Sequence, residues 1–414
     1  MDLSEIDLNK IKEAIDALAP ERRRELLAWM EAQKPPSRAA WRSRFCARTE
    51  WFRLLPGLTR AVAGTLVGLI GFACVEAAIF DSGWYSKYLE PDSTAGQVEY
   101  NLFWLRRTWP PKTPDVLVMG DSRIAEAFSA RVAGESVNGK IHFMNFGMPG
   151  STPRVWYYTL RDAEKDRNRF SAIVIPFNRY SDFDSGEDLP NRVTDLNFLA
   201  ARLRWSECGD FSRSYPEADA RRSVLTGCLI RGLALREDVR DFLSGIPERL
   251  RRTKNWRNNG ERYIEGYDGK YEDLKGLTVD TATGKIHFPP GAQDWQIEST
   301  RAALRPYTGR QSGELTAYRQ KWIGGILDLY RNSATRIIFI QLPYAPLPVP
   351  DAAESARFID SVKWRSRLTV LPGNLFLDLE KPELFADGMH LNRTGRELFS
   401  AELAKAVAPI MEQP

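Results

Sequence analysis

The feature that most constrains this chain is an apolar run of 20 residues at 61–80, AVAGTLVGLIGFACVEAAIF. It contains one charged residue, Glu76, close to its end. A helix needs about 20 apolar residues to cross a bilayer, so the run predicts a transmembrane helix over 57–80. The alternative interpretation is a buried core helix, since the run is rich in Gly and Ala.

The charges on the two sides of this run differ in sign. From Lys34 to Arg60 there are seven basic residues and one acid, whereas from Asp81 to Glu99 there are four acids and one base. Positively charged flanks stay in the cytoplasm. The sequence therefore predicts a single-pass protein of a bacterial inner (cytoplasmic) membrane, with a cytoplasmic N-terminus and a periplasmic or otherwise extracytoplasmic main domain.

Two segments precede the span. Residues 1–34 carry apolar residues at helical spacing, and Pro20 begins a second such stretch, which predicts a short cytoplasmic helical hairpin. This hairpin is either a docking element for a partner or a tail that packs on itself or on the membrane. Residues 35–56 are basic and predict a juxtamembrane linker that faces anionic lipid.

The chain from 114 to about 410 has the pattern of one α/β domain, joined to the span by a connector at 81–113. Short apolar runs alternate with helical stretches, which is typical of a parallel sheet covered on both faces. The net charge is only +4, which gives no indication of nucleic-acid binding. The predicted strands lie at 115–119, 141–146, 171–176, 335–342 and 374–379.

An insertion at about 184–313 interrupts this alternation. We expect helices around 216–253 and a small hairpin at 276–288, which form either a wall of a substrate cleft or a surface subdomain. Cys208 and Cys228 lie in the insertion, and an oxidising compartment favours a disulfide between them over two free thiols. No cysteine or histidine spacing suits zinc, so we expect no metal and no cofactor.

The local motif with the clearest chemical meaning is GDSR, residues 120–123, at the end of the first predicted strand. In the structural interpretation, Asp121 or Ser122 caps the helix that follows, because both residue types are preferred N-caps. In the chemical interpretation, Ser122 is a nucleophile at the carboxyl edge of a parallel sheet, where the sites of such sheets gather.

Candidate partners for Ser122 lie far away in the chain. Asp387 and His390 are three residues apart in DGMHLN and can act as a base with its orienting carboxylate. Gly150 and Asn178 follow the second and third predicted strands and can supply N–H donors to an oxyanion. Each feature alone is typical of a turn or a helix cap, but together they predict a serine acyl-transfer site.

Four blocks of the sequence resemble the motifs of the SGNH (GDSL-type) hydrolase superfamily. They are GDSR, NFGMPGST, PFNRYSD and DGMHLN, and the resemblance covers roughly residues 114–410. The third block departs from the Gly-x-Asn-Asp of the superfamily, since Pro176 replaces the Gly and Arg179 replaces the second acid. The resemblance implies a flavodoxin-like three-layer α/β/α sandwich.

The same resemblance implies a role for each matched residue. Ser122 is the nucleophile, His390 the base and Asp387 the residue that orients it. The backbone N–H of Ser122, Gly150 and the side chain of Asn178 form the oxyanion hole.

The anchor in front of this domain is similar to that of the SGNH proteins that work beside membrane-bound O-acyltransferases. The D-alanyl transfer protein of Gram-positive walls and the exopolysaccharide acetylation proteins are examples. This implies an O-acyltransferase that receives an acyl group from such a partner, holds it on Ser122 and passes it to an envelope glycan or lipid. The alternatives are an anchored esterase that removes acyl groups, and an inactive scaffold or glycan-binding protein.

The charge asymmetry across the span yields a test of orientation. Protease added outside intact spheroplasts should leave residues 1–34 uncut, because the positive flank keeps them in the cytoplasm. Immunoblotting against an N-terminal epitope measures this. Digestion of the epitope without lysis would reverse the predicted topology.

Overall fold

The computed structural model describes residues 57–107, 113–163, 169–177, 189–259, 267–280, 282–304, 317–347 and 367–412, together with Pro20, Glu21 and Arg24. Apart from those three helical residues, the predicted hairpin at 1–34 lies outside the described residues, as does the linker at 35–56. The chain divides into two compact units, Met1–Cys74 and Val75–Pro414.

The apolar run forms a helix. Helix α1 spans Gly57–Glu76, and a π-helical turn, Ala77–Asp81, continues it. The helical segment Ala61–Lys87 is long and apolar enough to cross a membrane, and only 6% of its apolar window is buried. A core helix that is apolar all round buries its side chains, so this exposure favours the membrane-spanning prediction over the core-helix alternative.

Glu76, the one charge in the apolar run, belongs to the second unit and is buried there. Its Oε1 accepts a hydrogen bond from the backbone N–H of Gly232 at 3.0 Å. A few residues later, Asp81 pairs with the buried guanidinium of Arg231. The end of the apolar segment is therefore held by polar partners in the insertion.

A five-stranded parallel sheet lies in the second unit. Its strands are β1 (Asp115–Gly120), β2 (His142–Gly147), β3 (Ala172–Phe177), β6 (Arg336–Gln341) and β7 (Leu368–Val370). Their order is β2-β1-β3-β6-β7, and every neighbouring pair is parallel. This confirms the prediction of a mixed α/β fold with a parallel central sheet, whose carboxyl ends meet at one edge.

Helices follow nearly every strand. They are α2 (Thr94–Arg107), α3 (Ser122–Ala127), α4 (Ala130–Ser136), α5 (Pro153–Ala163), α6 (Asp195–Leu199), α7 (Trp205–Arg213), α8 (Ala218–Leu229), α9 (Arg231–Ala234), α10 (Arg236–Ser244), α11 (Ile246–Asn259), α12 (Asp294–Ala303), α13 (Ala317–Leu329) and α14 (Arg393–Glu412). Helix α3 begins directly behind the carboxyl end of β1, and α5 begins a few residues after the end of β2, which brings the residues between them to the same edge.

Alternate strand residues belong to two separate hydrophobic clusters. Leu117 and Ile173 lie in a cluster with side chains of α2, α5 and α13, whereas Val116 and Val174 lie in a cluster with side chains of α14. Successive side chains of a strand point to opposite faces, so both faces of the sheet are covered by helices. This is why the strands of the sequence are nearly continuous apolar runs.

The fifth strand is not where the sequence predicted it. Residues 374–379 form turns and a 3₁₀ segment, Leu377–Leu379, and the fifth strand is β7, pairing with β6. Phe376 and Leu379 are buried three residues apart, which is the spacing of a tight helical turn rather than of a strand. Pro372 and Gly373 precede them and end the extended chain.

The insertion contributes to the core. The helices predicted around 216–253 are present as α8 to α11, and the predicted hairpin pairs β4 (Thr278–Asp280) with β5 (Lys285–His287). Phe198, Phe211 and Val224 are buried in the same cluster as Leu117. The described part of the insertion is therefore not a detached surface subdomain.

A disulfide joins Cys208 on α7 to Cys228 on α8, across a sequence separation of 20. Both residues are buried. Closing a loop of this length contributes roughly 3 kcal/mol by restricting the unfolded chain. The bridge therefore ties together two helices of the insertion that cover the core.

This bridge should be measurable in the purified full-length protein. Replacing Cys208 and Cys228 by Ala should lower stability by about 3 kcal/mol, seen as a fall of several degrees in the thermal midpoint. Replacing the exposed Cys74 by Ala is the control and should leave the midpoint unchanged. Peptide mass spectrometry without reduction checks the linkage directly, and two free thiols would contradict it.

Candidate active site

The GDSR motif forms the junction of β1 and α3. Asp121 is the N-cap of α3, and its carboxylate accepts hydrogen bonds from the backbone N–H of Arg123 (3.0 Å) and from its guanidinium (2.7 Å). Ser122 is the first helical residue. The capping role therefore falls to Asp121, and the hydroxyl of Ser122 is available for another partner.

That partner is His390. Its Nε2 lies 2.9 Å from Oγ of Ser122, and its Nδ1 lies 2.8 Å from Oδ2 of Asp387. The structure thus brings together three residues that the sequence analysis selected from opposite ends of the domain. A hydroxyl, an imidazole and a carboxylate in this order form the arrangement that activates a serine for attack on a carbonyl.

The loop that carries Asp387 and His390 is tied to its surroundings. The backbone N–H of Ala386 donates to the carbonyl of His390 at 2.9 Å, and Gln296 of α12 donates to the carbonyl of Ala386 at 2.7 Å. Gly388 lies so close to α12 that a Cβ would be 2.4 Å from the carbonyl oxygen of Ser299. No larger residue fits there without moving the loop.

α14 holds this loop against α3. Asn392 caps α14, with its Oδ1 accepting from the N–H of Gly395 at 3.0 Å. One turn on, the buried Arg396 donates to the backbone carbonyls of Ala125 (3.1 Å) and Glu126 (2.6 Å). Carbonyls in the last turn of a helix lack partners within the helix, and the guanidinium supplies them.

The surroundings of Asp387 and His390 favour the ionised form of Asp387 beside the imidazole. Burial alone would raise the pKa of Asp387, but hydrogen bonds from His390 and from the N–H groups of Met389 and His390 lower the pKa to about 2. Burial alone would lower the pKa of His390, but the hydrogen bond and charge of Asp387 outweigh it and raise that pKa. Asp387 therefore stabilises the imidazolium that forms when His390 takes a proton.

A lysine of the insertion forms an ion pair with a glutamate of α3 next to the triad. Lys270 Nζ lies 2.9 Å from Glu126 and 3.5 Å from Asp387. Glu126 raises the pKa of His390 and Lys270 lowers it. The sequence analysis missed both residues, because a lysine in an insertion and a glutamate on a short helix have no spacing that marks them.

Gly150 lies in a tight turn that follows β2. The N–H of Ser151 donates to the carbonyl of Met148 at 2.9 Å, with Pro149 and Gly150 between them and a φ of +75° at Gly150, as a type II turn requires. The turn is held to β1 through Gly120, whose carbonyl accepts from the N–H of Met148 at 2.8 Å. The oxyanion role of Gly150 stays a prediction.

A buried polar cluster holds the residues after this turn. Thr152 Oγ1 donates to Asp195 Oδ2 at 2.9 Å, and Arg154 pairs with the same oxygen at 3.2 Å. The hydroxyl of Tyr318 lies 2.9 Å from Thr152 Oγ1. Burial raises the pKa of Asp195 to about 6 even though Arg154 lowers it. The ionised form of this carboxyl group is therefore destabilised by its surroundings. No sequence motif indicated this cluster.

Asn178 lies outside the described residues, directly after the end of β3. His142 pairs with Asp115 at 2.8 Å, at the amino ends of β2 and β1 and thus at the edge opposite the triad. Within the described ranges no group of three or more His, Cys, Asp or Glu residues is placed to hold a metal ion.

Neither the protein-family models nor the curated proteins provide a relative from which a function can be transferred. No protein-family model matches the chain, and no curated protein matches it. The geometry around Ser122 and the motif resemblance therefore carry the functional argument.

The His390–Asp387 pair predicts a specific pH dependence. Reaction at Ser122 needs neutral His390, so the rate should fall as the pH drops through the pKa of His390, which lies above its ordinary value. Asp387→Asn should shift this acid limb to lower pH, because the imidazolium loses its carboxylate, and should slow the reaction by about four orders of magnitude. The measurement is the pH profile of the rate at which a fluorophosphonate labels Ser122.

A control substitution separates the shift of the acid limb in Asp387→Asn from the effect of removing one negative charge anywhere in the protein. Asp378→Asn removes an exposed carboxylate outside the triad and should leave the profile in place. An acid limb that is identical in Asp387→Asn and in the unaltered protein would show that Asp387 does not set the pKa of His390.

Proposed function

We propose that this protein is a membrane-anchored, extracytoplasmic O-acyltransferase of the SGNH type, with Ser122 as the acyl carrier. The single observation that supports it most is the 2.9 Å contact between Ser122 Oγ and His390 Nε2, with Asp387 behind the imidazole. A proton can pass between heavy atoms at this separation. The proposed reaction is transfer of an acyl group to an envelope glycan or lipid.

The chemistry follows from the positions of these groups. Ser122 Oγ attacks the carbonyl carbon of the acyl donor and its proton passes to His390 Nε2. The bond from that carbon to the donor breaks, and the leaving group takes the proton from His390. A hydroxyl of the acceptor then attacks the acyl-serine, its proton passes to His390, and Ser122 leaves with that proton as a free hydroxyl.

The negative oxygen of each tetrahedral intermediate needs N–H donors. In the proposed site these are the backbone N–H of Ser122, Gly150 and the amide of Asn178. The tight turn at Met148–Ser151, held to Gly120, supports the placement of Gly150 near the nucleophile. For Asn178 the argument remains the resemblance of its block to that of the superfamily.

The fold is compatible with this class. The parallel sheet with helices on both faces agrees with the three-layer α/β/α sandwich that the resemblance implies. Three of the matched blocks lie at the ends of strands, and the fourth lies in the loop before α14. We infer the anchor, the cytoplasmic hairpin and a membrane-bound O-acyltransferase partner from the apolar helix, the charge asymmetry and the similar architecture of such two-component systems.

The nucleophile is tested by active-site labelling. A fluorophosphonate should label the full-length protein in detergent, because the serine is activated by His390, and should fail to label Ser122→Ala. Ser244→Ala, which removes an exposed hydroxyl away from the triad, is the control and should be labelled normally. In-gel fluorescence is the readout, and equal labelling of Ser122→Ala would exclude the acyl-serine and favour an inactive scaffold.

Transfer and hydrolysis differ in the fate of the acyl group. With an activated acetyl ester as donor and a neutral oligosaccharide as acceptor, transfer gives an oligosaccharide that is heavier by one acetyl group, as mass spectrometry detects. An esterase gives free acetate alone. Release of acetate with no acetylated sugar at any acceptor concentration would favour the esterase alternative.

A further inference from the structure

A large cavity lies in the second unit where the apolar segment ends. Its volume is about 880 Å³, and its wall begins at Asp81 and includes Gly83 and Lys87. These residues directly follow the apolar run at 61–80. Other parts of the wall come from α2, from the residues before α7 and from α11. We call it the membrane-proximal cavity.

The lining of this cavity has a surplus of positive charge. Seven basic and four acidic residues line it. The four acids are all engaged in ion pairs with lining arginines, namely Asp162 and Glu207 with Arg161, Glu99 and Asp162 with Arg202, and Asp81 with Arg231. Four bases of the lining lie outside these ion pairs, and one of them, Arg106, also interacts with Glu99 through its charge.

Those remaining bases are Lys87, Arg106, Arg204 and Arg257. Among the residues that the structure describes, none of the four forms an ion pair with a carboxylate. Arg257 donates to the carbonyl of Lys87 at 2.7 Å, which keeps its guanidinium at the wall. Clustered, unneutralised guanidinium groups repel one another, and an anionic ligand relieves that repulsion.

Two exposed tryptophans flank the cavity lining in sequence. Trp84 is 46% exposed and follows Gly83, and Trp205 is 40% exposed and follows Arg204. Tryptophan is enriched at the level of the lipid headgroups, where its ring is partly in hydrocarbon and its N–H is in contact with water. Together with the adjoining apolar segment, they indicate that the cavity faces a bilayer surface.

We propose that the membrane-proximal cavity binds the phosphate-bearing headgroup of a membrane lipid. Arginine forks hold phosphate oxygens through paired, charge-assisted hydrogen bonds, and basic residues next to a span attract anionic headgroups. A soluble anionic polysaccharide matches the charge as well. A polysaccharide ligand would not explain why the cavity lies at the end of the apolar segment or why the two tryptophans are exposed.

A second cavity shares part of its wall with the membrane-proximal cavity and reaches helix α3. Its volume is about 250 Å³, and it shares Pro91, Tyr100 and Trp256 with the membrane-proximal cavity. On its other side it reaches Ala125 and Glu126 of α3, the helix that begins with Ser122. Headgroup binding in the membrane-proximal cavity does not rest on the proposed function.

The test measures lipid binding to the full-length protein in detergent. Native mass spectrometry compares dihexanoyl phosphatidylglycerol, dihexanoyl phosphatidylcholine, inorganic phosphate and an oligogalacturonate. Phosphatidylglycerol should bind most tightly. Arg106→Gln with Arg204→Gln should weaken it about 30-fold, because each basic residue near an anionic headgroup contributes roughly a factor of five.

The control keeps the same change of net charge. Lys140→Gln with Arg221→Gln removes two exposed bases outside the cavity and should bind phosphatidylglycerol normally. Ser122→Ala should also bind normally, since Ser122 does not line the cavity, which keeps this result separate from the labelling experiment. Thermal midpoints verify that each variant is folded.

Three outcomes would overturn the proposal. Equal weakening in the cavity pair and the control pair would show a general charge effect. Inorganic phosphate binding as tightly as the lipid would identify a site for free phosphate, and tighter binding of the oligogalacturonate would identify a polysaccharide site.

Discussion

The candidate site depends on one buried guanidinium. Arg396 of α14 donates to the carbonyls of Ala125 and Glu126, and a second tie runs from the N–H of Ser129 to Oγ of Ser400 at 2.8 Å. Ser122 begins α3 and His390 lies three residues before Arg393, the first residue of α14, so these contacts hold the two side chains close to each other. A displacement of about 1 Å in such an arrangement costs on the order of a hundredfold in rate.

The insertion supports the same site from two directions. On one side Asp195 holds Thr152, next to the turn of Gly150, and on the other Lys270 and Gln296 contact the loop of Asp387 and His390. A carboxylate buried as deeply as Asp195 persists only where its partners are well placed. The insertion therefore contributes buried polar contacts on both sides of the candidate site.

The features that could be predicted from the sequence are those that depend on local patterns, namely the buried strands and the residues of the triad. Three of the five sheet strands, β1, β3 and β6, are buried on both faces, so their apolar runs are visible. Ser122, Asp387 and His390 lie in short motifs with the residue types that a serine acyl-transfer site needs. The edge strand Leu368–Val370 has three residues and no such run. The buried Arg154–Asp195 ion pair joins residues 41 positions apart. The sequence does not show that these two charged residues pair with each other or that they are buried.

Ser122 and His390 are separated by 268 positions, and this has a consequence for the newly made chain. Contacts between distant residues form late in folding, because the intervening loop must first be closed. The hydroxyl meets the imidazole only after the last part of the domain has been synthesised and docked. A chain truncated before residue 390 therefore cannot form the Ser122–His390 contact.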